Sequence, residues 1–167
     1  MKPHTVSVLV ENRAGVLSRV AGMFSRRGFN IESLAVGPCE ELDMSRITIV
    51  VNGDDGVVEQ VMKQTNKLID VIKVSDLTAR ESVERELALI KVAAETGPAR
   101  AEILQVADIF RAQVVDVGAK TLVLQVTGDT SKIDALETLL RQYGIKELVR
   151  TGKIALLRGP KTVKSSK

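Results

Sequence analysis

The chain has little of what most catalytic chemistry needs. Its 167 residues include one cysteine, one histidine and no tryptophan. The lone Cys39 excludes an internal disulfide framework and any cysteine-based zinc cluster. It fits a reducing cytoplasm, which is the compartment expected. No apolar run approaches the ~18 residues of a membrane span, so no span is expected. Met1 to Val10 alternates apolar and polar residues and does not read as a secretory leader.

Aromatic residues are limited to Phe24, Phe29, Phe110 and Tyr143. The core must therefore come from Val, Ile, Leu and Ala, which make up most of the 44% hydrophobic content. Val and Ile favour strands, so a sheet-rich mixed fold is expected. The basic pI near 9.1 misleads as a guide to partners. Acidic and basic residues balance in 1–80 and again in 81–160, and the whole +3 excess sits in Lys161, Lys164 and Lys167. The body carries no strong basic field of the kind nucleic acid requires.

Periodicity gives the element order. His4 to Val10 alternates as a strand, and Asn12 follows in the position of a helix cap. Leu17, Val20, Ala21 and Phe24 recur at helical spacing from Ala14 to Arg27, and Gly28 ends that run. Phe29 to Val36 alternates with one irregular step at Glu32 and Ser33. Arg46 to Val51 is a strand, a helix follows Asp54-Asp55, and Val71 to Leu77 is a further strand. The order β-α-β-β-α-β is the ferredoxin-like arrangement.

The second half repeats it. Val83 to Val92, a helix opened by Gly97-Pro98, strands at Val114 to Val117 and Thr121 to Thr127, a helix from Asp129 to Arg141 and a strand region from Ile145 to Leu157 follow in turn. Val51-Asn52-Gly53-Asp54 and Val126-Thr127-Gly128-Asp129 lie 75 residues apart and start matching helices. The expected fold class is α+β: two ferredoxin-like βαββαβ domains, each an antiparallel sheet with helices on one face. The expected domains are 1–78 and 79–160, with their junction near Thr78 to Ser82 and a flexible Lys-rich tail at 161–167.

Catalytic constellations are absent. His4 has no Cys or carboxylate at ligand spacing, and Cys39 has no local cationic or histidine partner to make it a nucleophile. No phosphate-binding loop, dinucleotide fingerprint or His-Glu-x-x-His motif occurs. A copper chaperone of this fold would need a Cys-x-x-Cys pair. An RNA-binding module would stack bases on strand aromatics, where this chain has Val, Ile, Ser and Thr. No catalytic or metal-ligating residue is expected.

One segment stands apart: Asn12-Arg13-Ala14-Gly15-Val16-Leu17, with Asn30-Ile31 beyond the helix. A glycine at a helix start costs about 1 kcal/mol against alanine. Free N–H groups there can seat a carboxylate. If the strands flanking the helix are neighbours, Asn12 and Asn30 can together hold an amino acid whose side chain meets Val16, Leu17 and Ile31. A plain capped helix with a tolerated glycine fits the same residues.

The pattern Asn12-x-x-Gly15-x-Leu17-x-x-Val20-x-x-x-Phe24-x-x-x-Gly28-x-Asn30-Ile31 resembles the ACT domain, an amino-acid-sensing module. Together with Glu32-Ser33-Leu34, Ser45-Arg46, Val83-Glu84-Arg85-Glu86-Leu87, Gly128 to Ile133 and Arg150-Thr151-Gly152, residues ~3–160 resemble the regulatory small subunits of acetolactate synthase. The resemblance implies an N-terminal ACT domain and a C-terminal ACT-like domain in a non-catalytic homodimer. It implies a large catalytic partner that uses thiamine diphosphate, Mg²⁺ and FAD to make 2-acetolactate or its homologue for branched-chain amino-acid synthesis. It implies activation of that partner and feedback inhibition, usually by valine, with leucine and isoleucine as related effectors. Carried over, the effector site is Asn12, Gly15, Val16 and Leu17 of one subunit with Asn30 and Ile31 of its neighbour. The turn Pro38 to Met44 is a candidate contact with the catalytic subunit. The alternatives are an ACT-type regulator of another enzyme or of gene expression, and a small acyl-phosphate-hydrolysing enzyme, which would use Arg13.

Overall fold

The computed structural model describes residues 2–78 and 80–164. The chain forms two compact units. One comprises the stretch up to Glu84 together with the stretch from Lys153 onward, and the other is Arg85–Gly152.

The first unit contains β1 (Lys2–Glu11), α1 (Val16–Arg26), β2 (Ile31–Pro38), β3 (Met44–Gly53), α2 (Asp55–Thr65) and β4 (Val71–Asp76). Its antiparallel sheet has the order β2-β3-β1-β4. The β1–β3 ladder runs unbroken from Lys2 opposite Gly53 to Glu11 opposite Met44. Alternation puts Val6, Val8 and Val10 beside Ile47, Ile49 and Val51 on one face. There they meet Val16, Val20, Met23 and Phe24 of α1 and Val58 and Val61 of α2. Phe24 and Phe29 pack edge to face at 6.1 Å between centroids. The irregular step expected at Glu32 and Ser33 is a register shift between Ile31 and Ser33.

The other face of the same sheet is also buried at Thr5, Ser7, Leu9, Thr48 and Val50. The returning chain covers it. Lys153 N–H donates to Ser33 Oγ at 3.0 Å, Arg46 Nη2 to the Val163 carbonyl at 2.9 Å, and Lys73 Nζ to the Lys164 carbonyl at 3.0 Å. Leu77, Ala155 and Val163 form a small apolar cluster with Leu157.

The second unit holds most of β5 (Ser82–Ala93), then α3 (Gly97–Ile109), β6 (Gln113–Val117), β7 (Thr121–Gly128), α4 (Thr130–Leu140), a 3₁₀ turn at Arg141–Tyr143 and β8 (Ile145–Arg150). The strand order β6-β7-β5-β8 reproduces that of the first unit. Ala88, Ile90, Val92, Leu122, Leu124 and Val126 pack on Ile103, Ala107, Ile133, Leu136 and Leu140. The repeat extends to the irregularities: register shifts fall between Leu9 and Val10 in one sheet and between Lys91 and Val92 in the other. β9 (Ile154–Leu157) pairs with β5.

The compact units are cut differently from the expected domains 1–78 and 79–160: the first runs to Glu84 and takes up the chain again from Lys153. Glu84 belongs to the first unit because its carboxylate accepts from Thr5 Oγ1 at 3.1 Å and pairs with Lys153 Nζ at 2.7 Å. Within the expected Lys-rich tail, Val163 is buried and both it and Lys164 accept side-chain hydrogen bonds. Ala79 and residues 165–167, on which parts of those two expectations fall, lie outside the described residues. Among the described residues no helix is long and apolar enough to cross a membrane.

Candidate functional site

The segment between β1 and α1 differs in one respect from the expected capped helix. Asn12 is not the cap. Gly15 occupies the N-cap position with φ +84°, a left-handed conformation that glycine adopts without strain. The glycine is therefore required by the turn rather than tolerated inside the helix. α1 has no side-chain cap and no acidic residue in its first turn. Asp54, Thr96 and Asp129 do cap α2, α3 and α4 by accepting from Val57, Ala99 and Lys132 N–H. The α1 N-terminus thus presents amide donors and a positive dipole end without a capping side chain of its own.

Two further bonds fix this turn from either side. Glu11 N–H donates to the Asp70 carbonyl at 2.9 Å, and Asn12 N–H donates to the Asp43 carbonyl at 2.8 Å. Arg19, one helical turn after Gly15, reaches back across it. Its Nη2 lies 3.6 Å from where a Gly15 Cβ would sit, and its Nη1 is 2.6 Å from Asp70 Oδ2. Sequence reasoning missed Arg19 and Asp70. The i, i+4 relation of Gly15 and Arg19 was a usable signal; the long-range partner Asp70 was not.

The remaining candidates divide. Leu17 is exposed beside the turn, whereas Val16 is buried in the core against the sheet and lines no open surface. Asn30 is exposed and donates Nδ2–H to Glu32 Oε1 at 2.7 Å. Ile31 is half-buried at the start of β2. The expectation that β1 and β2 are neighbours is wrong, because β3 lies between them. The two asparagines also sit at opposite ends of the sheet. Glu11 pairs with Met44, while Ile31 pairs with Val51, and that stretch of β3 spans about 23 Å at strand rise. One chain cannot close both asparagines on one amino acid.

Among the described residues, no three His, Cys, Asp or Glu side chains converge to hold a metal ion. His4 is buried in β1, and its Nδ1 has no hydrogen-bond partner among the described residues. Cys39 is half-buried, with Sγ 3.9 Å from the Glu41 carbonyl.

Fold and turn together define a two-unit α+β protein of the ACT class. Residues 6–73 match the family model of the acetohydroxyacid synthase small subunit-like ACT domain, and residues 85–159 match that of the small subunit of acetolactate synthase. The chain is 61% identical over 158 residues to a probable acetolactate synthase small subunit of Archaeoglobus fulgidus, covering 95% of this chain and 98% of that one. It is 50% identical over 166 residues to the acetolactate synthase small subunit of Mycobacterium bovis, covering 99% and 98%. The crystal structure of the small subunit from Thermotoga maritima superposes with a TM-score of 0.87 at 42% identity, covering 96% of this chain and 100% of that one. The chain belongs to the acetolactate synthase small subunits. It is a non-catalytic, regulatory subunit whose counterpart is a large catalytic subunit.

Proposed function

We propose that this chain raises the activity of the large catalytic subunit and subjects it to feedback inhibition by valine. In this reading the effector binds between the ACT units of two copies. Its carboxylate meets the uncapped start of α1 at Gly15, with Asn12 and Leu17 beside it, and Asn30 and Ile31 come from the second copy. The observation that carries the reading is the left-handed Gly15 turn, held from both sides and leading into a helix with no side-chain cap and no acidic residue in its first turn.

The separation of Asn12 and Asn30 supports a site shared between copies. β2 is an edge strand. Antiparallel pairing of two β2 edges about a two-fold axis brings the Asn30 end of one copy to the end of the sheet that carries Asn12 and Gly15 in the other. Thiamine diphosphate, Mg²⁺ and FAD belong in this reading to the catalytic subunit, which works in the cytoplasm. Leucine and isoleucine are the related effectors, since an apolar pocket separates one methylene by only about 1–3 kcal/mol.

Thermal unfolding of the isolated chain against amino acids at millimolar concentration tests the proposal. A ligand at 100 times its Kd stabilises by about 2.7 kcal/mol. A midpoint shift confined to valine and its close relatives is expected. No shift with any of them, in the presence or absence of the large subunit, refutes the effector site.

A further inference from the structure

Arg80, Arg158 and Lys161 line one open cavity of about 630 Å³, together with Glu81, Leu157 and Pro160. All six residues belong to the first unit. The fold brings them together from two turns far apart in the chain. In the first turn, Arg80 N–H donates to the Leu77 carbonyl at 3.2 Å, and Thr78 Oγ1 accepts from Thr5 N–H at 2.8 Å. In the second, Gly159 takes φ +70°, and Pro160 fixes φ just beyond it. Arg158 N–H donates to the Glu81 carbonyl at 2.9 Å and ties the two turns to each other. The backbone beneath the cations is thus held, while their side chains are exposed. None of the three makes an ion pair or a side-chain hydrogen bond among the described residues, although the Glu81 carboxylate shares the cavity. Arg13, Arg19, Arg46 and Lys153 of the same unit each pair with a carboxylate.

From this arrangement we infer that the cavity is an anion site that takes the phosphate group of a small phosphorylated ligand. Three cations and one carboxylate leave two positive charges in excess. Like charges gathered in a cleft repel one another and focus the local field, and a counter-ion relieves both. A phosphate monoester carries about two negative charges at pH 7 and matches the excess. A single carboxylate would neutralise half of it. The two guanidinium forks supply paired N–H donors of the kind phosphate oxygens accept, and Lys161 adds a compact point charge. The volume lies within the roughly 300–1,000 Å³ of small-ligand sites. The charge is confined to one concavity of an otherwise balanced chain, so no basic stripe tracks a nucleic-acid backbone. None of the effector candidates lines this cavity, and the inference stands apart from the effector reading.

The test is calorimetric titration of the full chain with inorganic pyrophosphate, inorganic phosphate and hexaglutamate at matched ionic strength. Saturable binding of pyrophosphate or phosphate, with a millimolar or tighter Kd, is expected. Arg80→Gln and Arg158→Gln are each expected to raise that Kd about ten-fold. Both side chains are exposed, so both variants are expected to unfold at the native midpoint. Arg80→Lys and Arg158→Lys keep the charge but lose the fork, and are expected to fall between. Lys67→Gln, at an exposed lysine of the same unit outside the cavity, is expected to change nothing. Absence of saturable phosphate or pyrophosphate binding overturns the inference, as does native affinity in the Arg80→Gln, Arg158→Gln double variant. An equal loss with Lys67→Gln reduces the effect to surface screening and also overturns it. Hexaglutamate bound as tightly as pyrophosphate assigns the cavity to an acidic protein segment and overturns the phosphate assignment.

Discussion

Arg19 and Asp70 form an unequal pair: the guanidinium is 53% exposed, the carboxylate only 10%, and 2.6 Å separates Nη1 from Oδ2. The two ends of the bridge should therefore respond differently to mutation. Arg19→Met leaves a buried carboxylate without its partner. The expected loss is about 1–3 kcal/mol of stability. Asp70→Asn leaves a cation that water can reach, and its cost is expected to fall in the range of exposed pairs, about 0–1 kcal/mol. Urea unfolding of the two variants checks the asymmetry. Equal losses would show that the pair acts as a surface contact only.

Gly15 permits a test that separates charge from shape. Its φ of +84° penalises most side chains by roughly 1–2 kcal/mol, but asparagine and aspartate visit this region readily. Gly15→Asn and Gly15→Asp are thus matched in size and backbone tolerance and differ in charge. If the turn seats the effector's carboxylate, Gly15→Asp abolishes the valine-induced thermal shift while Gly15→Asn retains part of it. Loss of the shift in both variants would mean that space, not charge, governs the turn. Retention in both would remove Gly15 from the site. The aspartate is also within reach of Arg19, so the Gly15→Asp variant is expected to fold.

Local signals carried most of the fold. Alternation in β1, the helical stripe of α1 and the bulge at Glu32 and Ser33 all follow from near neighbours in the chain. Strand order was less accessible, because nothing local in β1 or β2 states that β3 inserts between them. The same limit hid Asp70, which lies 51 residues from Arg19. The docking of 153–164 onto the first unit was hidden for a related reason. Its first part reads as the last strand of the second half and its end as a lysine-rich tail, while two of its anchors are backbone carbonyls that receive Arg46 and Lys73. Gly15 stands out in the sequence as a glycine at a helix start; what the turn requires of it is a positive φ, which sequence does not display.

Gly53 and Gly128 explain why the repeat keeps a glycine before each capping aspartate. A Cβ at Gly53 would lie 2.7 Å from both Cβ and Cγ1 of Val57. A Cβ at Gly128 would lie 2.5 Å from Cδ of Lys132, and 3.3 Å from its Cβ and Cγ. The valine is branched at the point of contact and has no rotamer that withdraws its Cβ. The lysine can swing its Cδ away, at the loss of its Nζ hydrogen bond to the Thr127 carbonyl. Gly53→Ala is expected to cost about 1–3 kcal/mol, as overpacking does, and Gly128→Ala clearly less. Denaturation followed by probes specific to each unit checks the order.

Asp129 supplies the pH prediction. The Lys132 backbone N–H and the Ser131 hydroxyl both donate to its carboxylate and hold its pKa below the ordinary aspartate value. A folded-state pKa below the unfolded one means that protons favour the unfolded chain. The stabilisation is full above the unfolded pKa, about 4, and is lost as pH falls through the lower folded value. The Asp129→Asn variant would cap the helix with a neutral carbonyl that cannot titrate. The stability gap between the native chain and this variant is expected to be largest at pH 7 and to shrink as pH drops below about 4. Unfolding midpoints at pH 7 and pH 3 for both proteins decide it. A gap that stays constant across that range would show that the carboxylate's charge contributes nothing to the α4 N-terminus.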